Sequence, residues 1–585
     1  MSPRPSALPG PEGYCSSQLI PYLGNKRSLL PRLRPVFEEL AAGRPGLRFL
    51  DPFAGSGSVS RLARAMGMDV AANDWEPYSE ALSACWLALR PSDIDYAFGG
   101  PSGLGAFLSE WNGMHPSVPG GVSSPYTRPE PYIARWYAPR DTASPRIGEE
   151  RLFYTAENAA FIDYVRSRIE SEYGGAEPGS PEDIRRRVAL GGILLEAAVH
   201  SNTSGVFKAY HKGFGGHGKD ALTRILGRME LEPPILPEAT PARVYREDAR
   251  RFVSRQSADI AYFDPPYNQH QYGSNYHLLN TILRWDGLPM PTGPGNADSL
   301  SPKAGIPVGW KETRSAFCVK KEASSSISAT LDSCDAARLV FSWNADGHLS
   351  GDDLVGILAP RGRLDVLALD YVSYRGGRQS ASRSSRSREY LFVVDTRAAP
   401  CDEAAARQVL RELAARDEAL RSSYDPARVA AAFGIGFGSG SRIKDEGSGS
   451  VEFPGAESFF EPDLRRPSSA APDIVEAMGP EARARFLEVS ATCACANVVE
   501  DLDALSAMAR SALERADTAC ARKAARESIR LIRKLAHDKY SGQFFAFIAG
   551  FGSIARELGD DRIAAELRKL ESLMGLRICE EEDAL

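Results

Sequence analysis

The 585-residue sequence is short of several things. It has no apolar run near the roughly 18–20 residues that a bilayer-spanning helix needs, which excludes an integral helical membrane protein. Its nine cysteines follow no disulfide or zinc-ligand rhythm. Cys493 and Cys495 form a CxC, but no partner pair follows at zinc spacing, so this pair reads as structural and no metal is expected. Histidine is scarce, at eight residues. There is no excess of one charge either: 70 basic against 76 acidic residues give −6, which excludes a histone-like polycation. The opening residues lack the apolar core of a signal peptide, and 1–17 is expected to be a flexible lead-in. Together these features predict a cytoplasmic protein with reduced thiols and no membrane partner.

The length predicts about two to four domains. Charge is unevenly spread: residues 401–585 hold 25 basic and 32 acidic residues, leaving 1–400 close to neutral and able to carry a basic groove. Residues 18–98 alternate strand and helix patterns, which argues for a doubly wound, largely parallel sheet. The pattern resumes after about 241, with strands ending near Asp264, Asn344, Tyr374 and Thr396. Residues 99–240 read as an insertion, and 99–150, rich in Gly, Pro and aromatics, as a loop-built surface. Trp111, Tyr126, Tyr132, Trp136 and Tyr137 there require burial or a ligand. A helical extension over 401–433, a Gly/Ser-rich linker over 434–469 and a helical domain over 470–585 complete the chain.

Three segments carry chemistry. In Phe49–Val59 a strand ends in Asp51, followed by Pro52, Phe53, Ala54, Gly55, Ser56 and Gly57 at the entry to a helix. Glycines admit close approach of a ligand, and free N–H groups at a helix start attract carboxylate or phosphate. A dinucleotide fingerprint would place a third glycine where Ser60 stands. The pattern therefore favours a ligand with a cationic amino group near Asp51 and a carboxylate near the turn. About twenty residues on, Asp74 ends a second strand, where a carboxylate accepts ribose hydroxyls or caps a helix. The third segment is Asp264-Pro265-Pro266-Tyr267, at the end of an apolar strand. Its prolines stiffen the loop and project carbonyls. Asp264 and the Pro265 carbonyl can accept the two hydrogens of an exocyclic amine, while Tyr267 offers a face to a planar base.

In this order, preceded by Tyr22-Leu23-Gly24-Asn25-Lys26, these motifs resemble the D12 class (Dam-like) of N6-adenine DNA methyltransferases over about 18–396. Further similar segments are Arg151–Asn158, Ser201–Tyr210, Asn275–Leu279 and Phe341–Asn344. The resemblance implies a Rossmann-like S-adenosylmethionine-dependent methyltransferase fold, with a mixed, mostly parallel seven-stranded sheet and helices on both faces. It implies S-adenosylmethionine as cofactor. Tyr22, Gly24 and Lys26 would line the methionyl and target pocket, and Asp51, Phe53, Ala54, Gly55, Ser56 and Gly57 would hold the methionyl group. Asp74 would take the ribose, Asp248 would lie near the adenine, and Asp264 would touch both cofactor and target. Asp264, Pro265, Pro266 and Tyr267 would be catalytic.

Double-stranded DNA is the expected partner. Residues 185–228 carry eight basic residues against two acidic, and 361–388 seven against two. Arg185, Lys208, Tyr210, Lys212, Arg378 and Arg383 are the candidate phosphate contacts. The implied reaction is adenine N6 methylation of a flipped base in a restriction–modification or phage-defence setting. N4-cytosine methylation, or a non-catalytic DNA-binding scaffold, stands as the alternative. Residues 470–585 offer a surface for a protein partner or self-association.

Overall fold

The structure is a computed structural model of the full chain. It describes residues 11–118, 131–216, 221–266, 268–287, 304–345, 347–371, 387–435, 453, 455–536 and 538–582. Tyr126, Tyr267, Arg378 and Arg383 lie outside the described residues. The chain divides into two compact units; along the sequence, Arg407 ends the first and Gln408 opens the main part of the second.

The first unit is built on a seven-stranded sheet. Its strands are β1 Arg48–Asp51, β2 Asp69–Asn73, β3 Arg243–Tyr245, β4 Ser257–Phe263, β5 Asp335–Asn344, β6 Arg363–Tyr371 and β7 Ser387–Asp395. They lie in the order β3-β2-β1-β4-β5-β7-β6, all parallel except β7, which runs antiparallel to both neighbours. This is the mixed, mostly parallel sheet of a Rossmann-like methyltransferase fold. The central strands are apolar on both faces, as strands sandwiched between helices must be: Phe49 and Leu50 of β1 and Ile260 and Ala261 of β4 are buried. The chain runs outward from β1 through β2 to β3, and in the other direction from β4 to β5. The carboxyl ends of β1 and β4 therefore flank a topological switch point, where open α/β sheets hold their ligands.

Local chemistry sets the first elements. Gln18–Tyr22 forms no strand, and Gln18 sits at a positive φ of 51°. A short turn at Arg27–Leu29 leads into the helix Leu30–Ala41, whose Leu33 and Phe37 are fully buried. The helix Pro77–Trp86 stops at Trp86, and Pro91 opens a separate helix, Pro91–Phe98, as a proline at the first turn favours.

The loop-built surface expected at 99–150 is instead partly helical. Pro101–Gly113 is a helix whose Leu104, Leu108 and Trp111 face the core at helical spacing. Gly103 and Gly105 weaken that pattern in the sequence. Trp111, Tyr132 and Tyr137 are buried and Trp136 is half-buried, so the aromatics of this stretch feed a core shared with Tyr78, Trp86 and the helix Pro181–Val199. Gly191 of that last helix lets it cross the helix Pro77–Trp86 closely. A Cβ on Gly191 would lie 2.7 Å from Cys85 Cβ and 3.1 Å from the Trp86 ring.

The second unit is helical. Val498–Glu514, Thr518–Ile532, Ser541–Glu557 and Asp561–Glu582 share a core of Leu502, Leu505, Phe544, Phe551 and Leu567. Tyr424 and Phe433 join Phe459, Phe460, Leu464 and Phe486 in another apolar cluster. Residues from the stretches read as extension and linker thus belong to this unit's interior, where their aromatic side chains escape water. Its buried Arg465 is paired with Asp501 at 2.6 Å, as an ion out of water must be. Among the described residues no helix is long and apolar enough to cross a membrane, and no group of acids, His and Cys is placed to hold a metal. Cys493 is buried, and both it and Cys495 are free thiols.

The close crossing at Gly191 predicts that Gly191→Val overpacks the first unit and destabilises it by about 1–3 kcal/mol. Denaturant unfolding of the full chain, compared with wild type, checks this.

Candidate active site

Three strand tips converge at the switch point. Asp51 closes β1 and is 1% exposed. Its Oδ2 accepts a hydrogen bond from Ser60 Oγ at 2.6 Å, and its Oδ1 one from the Phe53 N–H at 3.3 Å. Ser60, where a dinucleotide fold would place glycine, here orients the acid. Burial drives the Asp51 carboxyl up to about 7 against the lowering effect of the Ser60 bond, and the nearby Asp264 charge adds to the rise. None of the partners of Asp51 among the described residues is a cation.

The turn Pro52–Gly57 is held from β2. Gly55 and Gly57 have φ of 54° and 78°, which glycine adopts without strain. Asp74, just beyond β2, accepts from the Gly55 N–H at 2.7 Å through Oδ2 and from the Glu76 N–H at 2.9 Å through Oδ1. Asp74 thus fixes the turn besides presenting a half-buried carboxylate to the site. Burial raises its pKa, and those backbone bonds oppose the rise. Asn73 bonds the Pro52 and Glu247 carbonyls, joining the tips of β1, β2 and β3. Ala54 and Ser56 are buried in the turn, and the Phe53 ring meets Phe317 edge-on at 5.1 Å.

Tyr22 lies over this turn. A Cβ on Gly55 would fall 2.8 Å from the Tyr22 ring, so a side chain there is incompatible with the packing. Tyr22 stacks on Tyr276 at 5.0 Å and packs against Tyr272 at 5.3 Å. Those two tyrosines hold the next peptide from both sides: the Leu23 N–H donates to Tyr276 Oη at 2.7 Å, and Tyr272 Oη donates to the Leu23 carbonyl at 3.0 Å. Gly24 follows with φ 78°, close to the Tyr272 hydroxyl.

Asp264 stands just past β4, with Pro265 buried and Pro266 half-buried behind it. Lys26, 4% exposed, approaches Asp264 Oδ1 at 3.1 Å and Glu389 Oε1 of β7 at 2.5 Å. Among the described residues, Asp264 Oδ2 takes no hydrogen bond. Burial pushes the Asp264 carboxyl above the usual range; the Lys26 charge opposes this and the Glu389 charge adds to it.

The remaining candidates divide. Asp248 caps the helix Ala249–Val253, accepting from the Arg250 and Arg251 N–H groups. Arg185 donates Nε and Nη2 to the Ala97 carbonyl at 3.0 and 2.7 Å and lies over the Phe98 ring, which makes it a tie between helices. Lys208 and Lys212 are exposed on a loop joined to the segment after Asp264. There the Phe207 N–H donates to the Asn275 carbonyl at 2.7 Å, and His277 Nε2 donates to the Phe207 carbonyl at 2.9 Å. Tyr210 packs edge-on against Phe153 at 5.0 Å.

Sequence reasoning missed four groups in this neighbourhood. Glu389 passed as part of the last strand, although an acid at the head of the apolar run Tyr390–Val394 was a visible signal. Tyr272 and Tyr276 carried no periodic signal. Glu76, buried and pushed by burial up to about 7, is bonded by Asn280 Nδ2 at 2.8 Å.

The chain is also similar in sequence to known proteins. The family model of the D12 class N6 adenine-specific DNA methyltransferases matches residues 22–98 and 192–287. The chain is 28% identical over 382 residues to the Type II methyltransferase M.CviAII of Paramecium bursaria Chlorella virus 1, and 27% identical over 380 residues to M.NlaIII of Neisseria lactamica. Each match covers 64% of this chain and 98% of the relative. To the Type II methyltransferase M.FokI of Planomicrobium okeanokoites it is 29% identical over 254 residues, 43% of this chain and 36% of that protein. The chain thus spans about a third of one relative and nearly the whole of the other two. The resemblance carried by the motifs is borne out: residues 22–98 and 192–287 match the D12 class of N6 adenine-specific DNA methyltransferases, and the chain is related to Type II methyltransferases.

Proposed function

We propose that this protein transfers a methyl group from S-adenosylmethionine to the N6 amino group of adenine in duplex DNA, as the modifying partner of a restriction–modification or phage-defence system. The observation that carries the reading is the convergence of Asp51, Asp74 and Asp264 at adjoining strand tips, with one oxygen of Asp264 unengaged among the described residues. The names of the relatives, Type II methyltransferases, support it.

The residues fit the cofactor. Asp51 is a buried carboxylate without a cationic partner among the described residues, and a bound amino group would return it to its ionised form. The turn around Gly55 leaves backbone where a Cβ would collide with Tyr22. Tyr22, Gly24, Phe53, Ala54, Ser56 and Gly57 would surround the methionyl part. Asp74 would take the ribose, with Trp75, 36% exposed beside it, available to the adenine. Asp248 would lie farther along that edge. The cofactor supplies, when bound, an electrophilic methyl on a sulfonium.

The chain's own residues do the rest. Asp264 Oδ2 and the Pro265 carbonyl accept the two hydrogens of the target amine and turn its lone pair out of the ring plane. Pro265 and Pro266 hold that acceptor pair rigid. Tyr267 would stack on the flipped base, offsetting an unstacking cost of a few kcal/mol. With its affinity for a proton raised, Asp264 can take the proton that the amine sheds. Lys208 and Lys212 would contact phosphates beside this opening, with Arg378 and Arg383 adding to them and Arg185 bracing the helices behind.

Three outcomes are expected. Purified protein with labelled cofactor and plasmid should yield N6-methyladenine by nucleoside mass analysis, and Asp264→Ala should lower transfer by about 10³-fold or more while cofactor binding is largely kept. N4-methylcytosine, or no transfer by the wild type, overturns the reading. At saturating cofactor and DNA, kcat should fall as the pH drops below neutrality. The raised Asp264 carboxyl takes up a proton earlier than an ordinary carboxylate and then loses its acceptor. Replacing both Lys208 and Lys212 by Ala should weaken DNA binding and flatten the slope of log K against log salt by about 2, measured by titration across salt concentrations.

A further inference from the structure

Lys26 is an ammonium shut away from water between two carboxylates from distant parts of the chain. Asp264 faces the site at 17% side-chain exposure, whereas Glu389 is fully buried behind it. Glu389 opposes Asn344 and Leu369 in the β5-β7-β6 ladder. Its Oε1 takes both the Lys26 ammonium, at 2.5 Å, and the Ser342 hydroxyl, while its Oε2 is buried without a hydrogen-bond partner among the described residues. Packing alone does not demand an acid here. A leucine or valine would continue the apolar run Tyr390–Val394, and a carboxylate oxygen left without a donor weakens the fold.

We propose that Glu389 is a positioning residue for methyl transfer: it holds the Lys26 ammonium back, so that Lys26 engages one oxygen of Asp264 and the other stays open to the target amine. The inference rests on the methyltransferase reading given above and deepens it. Lys26 has three donors and two acids within reach. Without Glu389 the ammonium loses one of the two acids that face it, and Asp264 would be drawn closer to it, in competition with the substrate amine.

The charge around Asp264 gives the second consequence. Lys26, Glu389 of β7, Asp51 of β1, Tyr262 of β4 and Tyr272 of the segment after Asp264 interact with it or its partners. Lys26 is the cation among them. Removing the Glu389 charge therefore lowers the affinity of Asp264 for a proton, and removing the Lys26 charge raises it.

The test is E389Q in the full chain. The expected result is a loss of at least about tenfold in kcat, with KM for DNA and the dissociation constant for cofactor kept within about threefold. The acid limb of the kcat profile should move to lower pH by about half a unit or more, and K26M should move it the opposite way. A readout independent of turnover accompanies these. A carboxyl with a raised folded-state pKa makes the fold lose stability as pH rises from its unfolded value through its folded one. The unfolding midpoint of E389Q relative to wild type should therefore rise between about pH 5 and 7. Unchanged kcat and an unmoved acid limb in a folded E389Q overturn the inference while the wild type still methylates DNA. A wild type that transfers nothing to DNA refutes the underlying reading instead. If E389Q does not fold, Ser342→Ala carries the test. It removes the hydroxyl that donates to Glu389 Oε1 and so loosens the hold of Glu389 on Lys26; kcat should fall by less than in E389Q, and an unchanged kcat overturns the proposal.

Discussion

The first unit turns on one buried ammonium. Lys26, Asp264 and Glu389 each lie more than a hundred residues apart in sequence, and a cation so shielded is tolerated only when acids meet it directly. That requirement fixes the turn after Tyr22 against the tips of β4 and β7 at once. The reversed strand β7 is what makes the arrangement possible. Running antiparallel between β5 and β6, it brings Glu389, near its start, level with the end of β5, beside Ser342. An all-parallel sheet would put the start of the seventh strand at the opposite edge.

Around that contact the strand tips are tied in pairs. Asp74 holds the Gly55 backbone, Asn73 holds Pro52 and Glu247, and Ser60 holds Asp51. Each acid expected to face a ligand is therefore oriented by a neighbour before any ligand arrives. Such preorganisation is what a site needs if binding is not to be spent on ordering side chains. The cost shows in the carboxyl groups, which burial pushes up in Asp51, Asp74 and Asp264 alike.

Much of this was legible in the sequence because short motifs carry their geometry with them. An acid at a strand end followed by Gly-Ser-Gly, and an acid followed by two prolines, are local patterns, and the sheet alternation around them is strong. Contacts set by tertiary packing were not legible. Nothing local distinguishes Arg185, which ties two helices, from Lys208, which faces water. Gly191 is an ordinary helical glycine until Cys85 is found against it. The helix Pro101–Gly113 was hidden by its glycines, and Phe459 and Phe460 by the Gly/Ser-rich stretch around them. Glu389 showed only as an acid in an apolar strand, and its use depends on a lysine near the other end of the unit.

The grip of Tyr272 and Tyr276 on the Leu23 peptide has a mechanical result. With both its N–H and its carbonyl bonded to one short stretch, the strand of backbone roofing the glycine turn cannot swing aside on its own. Slack admitted at the Tyr272–Tyr276 stretch is transmitted to that roof, and the reverse holds equally. The glycine turn under Tyr22 and the segment after Asp264 therefore share a single latch.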